Sequence, residues 1–361
     1  MQRCLALARQ GLGRTAPNPM VGCVVVQGHT AVGEGFHPKA GEPHAEVFAL
    51  RAAGERARGA TLYVSLEPCN HYGRTPPCTE AVIAAQVARV VVGMVDPNPQ
   101  VSGRGIARLR EAGIEVVVGI EEQACQQLNE AFVHRVTQQR PFGILKYAMT
   151  LDGKIATTNG HSAWVSSPQA RTLVHQLRSQ CDAVIVGTRT VQYDNPQLTS
   201  HPADPSDDAV HNPLRVVMSR SCQLPLQAKL WHTDMAPTVI FTENSPQRDL
   251  QAHLQHQQVE VIQLPDVTPL SVMDHLYGRG CSTVLWECGG TLAAQAIAQG
   301  CVQKVLAFIA PKIIGGLHAP SPVGDLGLSQ MTDALKLKQV TITGVGEDYL
   351  LSGYLPSRNK D

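Results

Sequence analysis

Two short stretches of this sequence carry side chains that could do chemistry together. "GEPHAEVFAL", Gly41 to Leu50, sets His44 and Glu46 two residues apart, just after Pro43, where a helix begins. "LEPCNHYGRTPPC", Leu66 to Cys78, supplies two thiols, Cys69 and Cys78, each directly after a proline and nine positions apart. Cys78 immediately precedes a helical stretch from Thr79, and helix N-termini stabilise thiolates. One imidazole and two thiolates suit zinc, which favours tetrahedral nitrogen and sulfur ligation. Three protein ligands leave a fourth position for water, and zinc brings the pKa of such a water to about 7. Glu46 lies too close to His44 to be an ideal fourth ligand. It is placed instead to take a proton from that water and pass it to a leaving amine. Singly, each part has a plain structural explanation: His-x-Glu opens many solvated helices, and Pro-Cys is commonly buried packing. A closed structural zinc site is a further alternative, with His71 or Cys23 the nearest candidates for a fourth ligand.

The elements that must position these residues can be read from the pattern around them. An amphipathic helix ends at Gly11. "GCVVVQ" and "AVGEGF" are strands joined by a Gly28-His29 hairpin turn. "ATLYVSL", "ARVVVGM" and "IEVVVG" are further strands, separated by helices at "TEAVIAAQ" and "GIARLREAG". A helix from Glu121 to Gln138 puts Ala124, Leu128, Ala131 and Phe132 on one face and stops before Arg140-Pro141. Strands alternating with helices predict an α/β layer fold, and the proline marks a boundary between domains 1–139 and 140–361. In the second, "FGILKYAM", "DAVIVGT", "LRVVM", "TVIFT", "VEVIQL", "STVLWE" and "VLAFIAP" are strand candidates. "SPQARTLVHQLRS" and "TLAAQAIAQG" are helices, and the C-terminal stretch is a β-hairpin around Gly344 to Glu347. The Gln-rich patch Gln251 to Gln263 reads as an exposed helix and loop.

Composition narrows the function classes. Thirty Lys+Arg balance thirty Asp+Glu, so no general nucleic-acid or anionic-membrane surface is indicated. A nucleic-acid-editing deaminase would call for a basic, aromatic-rich stripe, which the sequence lacks. No apolar run is long enough to cross a membrane, and the N-terminus has no apolar h-region of a secretory signal. Ten cysteines without framework spacing fit reduced thiols in a cytoplasmic setting. No G-x-G-x-x-G follows a strand. "VLWECGGTLAAQ" offers a strand, two glycines and a helix start, which could cradle a phosphate on backbone N–H groups or be a plain structural turn.

His-Ala-Glu followed by Glu-Pro-Cys and Pro-Pro-Cys is similar to the zinc-deaminase signature, in which the glutamate is acid/base and not a ligand. The Cys-x8-Cys spacing is longer than the usual Pro-Cys-x-x-Cys. With "APNPMVGCVVV" and "DPNPQVSGRGI", it resembles the bifunctional riboflavin-biosynthesis deaminase–reductase family over almost the whole chain. The resemblance implies a cytidine-deaminase-like α/β/α domain followed by a dihydrofolate-reductase-like α/β domain. It implies a small pyrimidine ribonucleotide substrate, 2,5-diamino-6-ribosylamino-4(3H)-pyrimidinone 5′-phosphate, with no nucleic-acid or membrane partner. It leaves a homo-oligomer open. Zn2+ and NADPH are the implied cofactors.

Residue by residue, the resemblance gives Asn18, His37, Arg74 and Asn98 as substrate contacts of the deaminase. For the reductase it gives Ser162, Arg178, Leu198 and Glu287 toward substrate. Ala148, Trp164, Thr190, Asp194, Arg220, Gly289, Gly290, Thr291 and Leu292 are given toward NADPH. Of Lys146 and Lys154, Lys146 is the expected catalytic lysine because it projects from a strand. Two positions depart from the family pattern. Ser219-Arg220 stands where many relatives carry Asp-Ser, and His201 replaces an arginine after the Asp-Asn-Pro segment. An arginine suits the 2′-phosphate end of the cofactor. The alternative to a two-step enzyme is a deaminase carrying a degenerate C-terminal domain.

Overall fold

The computed structural model describes residues 1–72, 76–99, 101–200 and 211–356. The chain forms two compact units, Met1–Arg140 and Pro141–Asp361.

The first unit opens with α1 (Gln2–Ala8) and a 3-10 turn ending at Gly11, followed by the hairpin β1 (Gly22–Gln27) and β2 (Thr30–Phe36). Then come α2 (Ala45–Ala53), β3 (Thr61–Leu66), α3 (Cys78–Ala84), β4 (Arg89–Met94), α4 (Arg104–Glu111) and β5 (Glu115–Val118). Two helices close it, α5 (Glu122–Leu128) and α6 (Glu130–Gln138). The sheet order is β2-β1-β3-β4-β5, with β1 antiparallel to both neighbours and β3, β4 and β5 parallel. β4 is buried along its length except at Arg89, which is why it reads as a continuous apolar run. Val25, Leu62, Val64, Val90 and Val92 share a core with Ala45, Ala49 and Ala53 of α2. α2 lies so close to β2 that a Cβ on Gly33 or Gly35 would stand 2.2 or 2.5 Å from the carbonyl oxygens of Ala49 or Ala45. The glycines of "AVGEGF" therefore seat the helix that begins beside His44.

The single helix expected over 121–138 is broken at Asn129. Its backbone leaves helical geometry (φ −105°, ψ 25°). Its side-chain oxygen accepts the Met20 N–H at 2.8 Å and its amide donates to the Met20 carbonyl at 3.0 Å. The amide thus pairs with Met20 as a neighbouring strand would.

The second unit contains β6 (Phe142–Thr150), α7 (Pro168–Ser179), β7 (Ala183–Gly187), α8 (Thr188–Asp194), β8 (Leu214–Met218) and β9 (Thr238–Thr242). It continues with α9 (Arg248–His256), β10 (Glu260–Gln263), α10 (Pro269–Gly278), β11 (Thr283–Trp286), α11 (Gly290–Ala298) and β12 (Lys304–Ala310). The hairpin β13 (Lys338–Val345) and β14 (Asp348–Tyr354) ends the sheet, whose order is β10-β9-β8-β7-β11-β6-β12-β14-β13. Strands β10 to β12 in that order run parallel, and β14 and β13 add antiparallel. α7 starts as its sequence predicts, with Ser167 accepting the Ala170 N–H and Pro168 as the first helical residue. The Gln-rich stretch forms α9, which buries Leu250 and Leu254, and then β10, which falls within the strand expected at "VEVIQL" and takes the place of the expected loop. α8 and α10 were not expected. α8 buries only Val191, too little for an apolar period, whereas α10 has a Thr268–Ser271 capping box and buries Val272, Met273 and Leu276. No described helix is long and apolar enough to cross a membrane.

Candidate active sites

In the first unit, His44, Cys69 and Cys78 converge. Their ligand atoms all lie within 4.8 Å of one another, with His44 Nδ1 3.2 Å from Cys78 Sγ and 3.5 Å from Cys69 Sγ. Local structure explains the meeting. His44 is the N-cap of α2 in extended geometry, and Cys78 is the first residue of α3. The Cys78 N–H donates to Cys69 Sγ at 3.3 Å, and the Thr79 N–H to the Cys69 carbonyl at 3.2 Å. A hydrogen bond from Cys78, against the cost of burial and aided by His44, holds the Cys69 thiol well below the usual thiol range. Among the described residues, neither His71 nor Cys23 joins the cluster, so the closed four-ligand alternative finds no support. This donor set and spacing fit a zinc ion with a position left for water.

Glu46 is buried, and its Oε2 has no hydrogen-bond partner among the described residues. Burial, together with the nearby Cys69 charge, pushes its carboxyl up to about 7. A buried carboxyl with an idle oxygen and a pKa near neutrality is what a general acid/base requires. Two of the expected substrate residues meet each other: Asn18 Nδ2 lies 3.2 Å from His37 Nε2. His37 Nδ1 lies 3.1 Å from the Pro43 carbonyl, and its ring meets that of His44 edge-on at 5.3 Å. Asn98 is half-buried in the loop after β4, and Arg74 lies outside the described residues.

The second unit gathers a different constellation. Glu287, directly after β11, is gripped by Arg178 of α7, with Nε to Oε1 at 2.6 Å and Nη2 to Oε2 at 3.0 Å. Lys146 Nζ of β6 reaches the same carboxylate at 3.4 Å. Burial pushes the Glu287 carboxyl up, but Arg178 and Lys146 outweigh it and hold it at about 2. Lys146 is therefore paired inside the unit and does not snorkel from a strand edge. Lys154 instead donates to the Ala319 carbonyl. Ser162 Oγ donates to Asp194 at 2.9 Å, and the exposed Trp164 carries the Arg171 guanidinium 4.4 Å from its ring centre. Thr190 lies on α8 and Ala148 on β6, while buried Leu198 adopts a left-handed φ of +54°. Ser219 is buried and receives a hydrogen bond from Thr188, while Arg220 is exposed. Gly289 is the N-cap of α11, with Gly290, Thr291 and Leu292 in its first turn. Thr190, Arg220, Glu287 and Gly289 all follow the carboxyl ends of parallel strands, where open α/β sheets bind ligands. His201 lies outside the described residues.

Comparison with known proteins finds a family match in each unit. Residues 1–94 match the family model described as the cytidine and deoxycytidylate deaminase zinc-binding region, and residues 141–351 match the RibD C-terminal domain. The chain is 62% identical to riboflavin biosynthesis protein RibD of Synechocystis over 98% of its own length and 95% of that protein's. The chain belongs to the RibD family. The structure of Acinetobacter baumannii RibD is similar at TM-score 0.88 and 37% identity, covering 98% of this chain and 97% of that one. A Thermotoga maritima structure, titled as a diaminohydroxyphosphoribosylaminopyrimidine deaminase/5-amino-6-(5-phosphoribosylamino)uracil reductase, gives 0.87 at 38% identity over 99% and 97% of the two chains.

As a member of this family, the chain is a bifunctional deaminase and reductase of riboflavin biosynthesis, with zinc and NADPH as its cofactors. The alternative of a deaminase with a degenerate second domain is not supported, since the reductase domain is matched along nearly its whole length. Two residues of the first unit escaped sequence reasoning. Asn129 clamps the loop that holds Asn18, and Glu67 collects backbone N–H groups from the loop that holds Asn98. Glu67 stood in the sequence as the glutamate of Glu-Pro-Cys at the end of an apolar strand, with nothing to name its partners.

Proposed function

We propose that the chain deaminates 2,5-diamino-6-ribosylamino-4(3H)-pyrimidinone 5′-phosphate and then reduces its ribosyl group to a ribityl chain. His44, Cys69 and Cys78 would hold zinc, which when bound acidifies the water that serves as nucleophile. Glu46 takes that water's proton and delivers it to the 2-amino group, which leaves as ammonia while the oxygen stays on the ring carbon. Asn18, His37 and Asn98 fix the pyrimidine nucleotide, and Arg74 grips its phosphate. In the second unit, NADPH when bound supplies the hydride that reduces C1′ of the opened ribosylamino group. Ala148, Trp164, Thr190, Asp194, Arg220 and Gly289 to Leu292 form its bed. Ser162, Arg178, Leu198 and Glu287 face the substrate. Lys146, oriented by Glu287, positions the sugar hydroxyls beside the reacting carbon. Balanced charge supports a small-molecule substrate without nucleic-acid or membrane partners, ten cysteines without framework spacing support a cytoplasmic setting, and a homo-oligomer is left open.

The observation that carries the deaminase half is the three-ligand cluster within 4.8 Å, together with the buried, unpartnered oxygen of Glu46. Glu46→Gln should keep the metal and lose ammonia release by a factor of roughly 10² to 10⁴. Metal content and ammonia assays on the purified variant check this, and full activity in the variant would remove Glu46 from the mechanism.

A further inference from the structure

We propose that Glu67 is a positioning residue of the deaminase, fastening the Asn98 loop to the arm that carries Cys69. Glu67 is buried and stands two residues before Cys69. Its own N–H donates to the Met94 carbonyl at 3.0 Å, which carries the β3–β4 pairing to the end of both strands. Its carboxylate takes four main-chain donors. Oε2 accepts the N–H of Asp96 at 3.2 Å and of Gly103 at 2.9 Å. Oε1 accepts the N–H of Gly105 at 2.9 Å and of Ile106 at 3.2 Å.

These donors come from both ends of one loop. Asp96 lies at its entry, and Gly103, Gly105 and Ile106 at its exit and in the first turn of α4. Between them the loop is tied to itself around Asn98. The Asp96 carboxylate accepts the Asn98 N–H at 2.8 Å, and the Asn98 carbonyl accepts the N–H groups of Val101 and Ser102, each at 2.8 Å. Stabilising the helix start alone would need only Gly105 and Ile106; the bonds to Asp96 and Gly103 instead draw the two ends of the loop together. Close packing reinforces the link, since a Cβ on Gly105 would stand 2.1 Å from the Pro68 carbonyl oxygen. The loop and the Cys69 arm are therefore held as one piece, and the chemistry demands a carboxylate. Each oxygen accepts two N–H groups, so an amide nitrogen in either place would turn its own donors on two others and offer no lone pair to accept them.

The inference rests on the proposed role of Asn98 in binding the pyrimidine. The test uses the full-length zinc enzyme with Glu67→Gln, Asn98→Ala and the double variant. Glu67→Gln should raise the deaminase KM about tenfold or more with kcat within about threefold. Zinc stoichiometry and the reductase rate should be unchanged, and the double variant should bind no worse than Asn98→Ala alone. Loss of zinc in Glu67→Gln, a fall in kcat at fixed KM, or multiplicative effects in the double variant would overturn the link. Asn98→Ala with an unchanged KM would overturn the Asn98 reading and this proposal with it, whereas a raised KM beside a silent Glu67→Gln would overturn the proposal alone. Should Glu67→Gln fail to fold, Gly103→Ala strains the same loop at a left-handed position (φ +76°) where an added Cβ meets nothing within 4 Å. It must then raise KM, and an unchanged KM overturns the proposal.

Discussion

The two constellations solve opposite electrostatic problems. In the deaminase half, two thiols and an imidazole crowd together, and Glu46 keeps an oxygen without a partner among the described residues. That arrangement is complete only with a cation and water in place. In the reductase half, Glu287 is matched by Arg178 and Lys146 within the protein itself. One site draws its stability from what it binds, the other from its own ion pairs.

Metal should therefore separate the halves most sharply. Cys78→Ser, or exhaustive chelation of the wild type, should abolish deamination by roughly 10³-fold or more while leaving reduction of the deaminated intermediate within about twofold. Parallel assays on one preparation decide it, and equal loss of both activities would erase the contrast. Next in size, Glu287→Gln should leave two buried cations short of their counter-charge. Stability of the second unit should fall by about 3 to 5 kcal/mol, with reductase kcat/KM reduced and zinc retained. Thermal melts and metal analysis test this. Acid should act through the same group. Its carboxyl is depressed in the fold to about 2, so its contribution is present above the unfolded pKa of about 4.3 and is lost as pH falls toward 2. Acid unfolding should therefore reveal a term on the order of 3 kcal/mol between those values that Glu287→Gln lacks. Smallest, Arg220→Ala should cut the preference for NADPH over NADH by about tenfold, read from the ratio of kcat/KM values.

The convergence of His44, Cys69 and Cys78 was legible because each sits where the sequence announces an element: His44 at the cap of α2, Cys78 at the start of α3, Cys69 just past β3. Residue type and helix-start position together were enough. What spacing could not disclose was pairing across distance. Glu67 reaches donors 29 to 39 residues away, Arg178 meets Glu287 across 109 residues, and Asn129 meets Met20 across the same interval. The strands of both sheets were readable from apolar runs. α8, with one buried residue, left no period to detect, and Asn129 broke a helix whose apolar face is continuous on paper.

The Asn129 clamp bears on how small a working deaminase can be. The deaminase family match ends at residue 94, yet the side chain that splints the Asn18 turn comes from well beyond it. A fragment trimmed to the shared signature would keep His44, Cys69 and Cys78 and lose both hydrogen bonds to Met20. That brace belongs to the junction of α5 and α6, the last two helices of the first unit, and not to the metal motif.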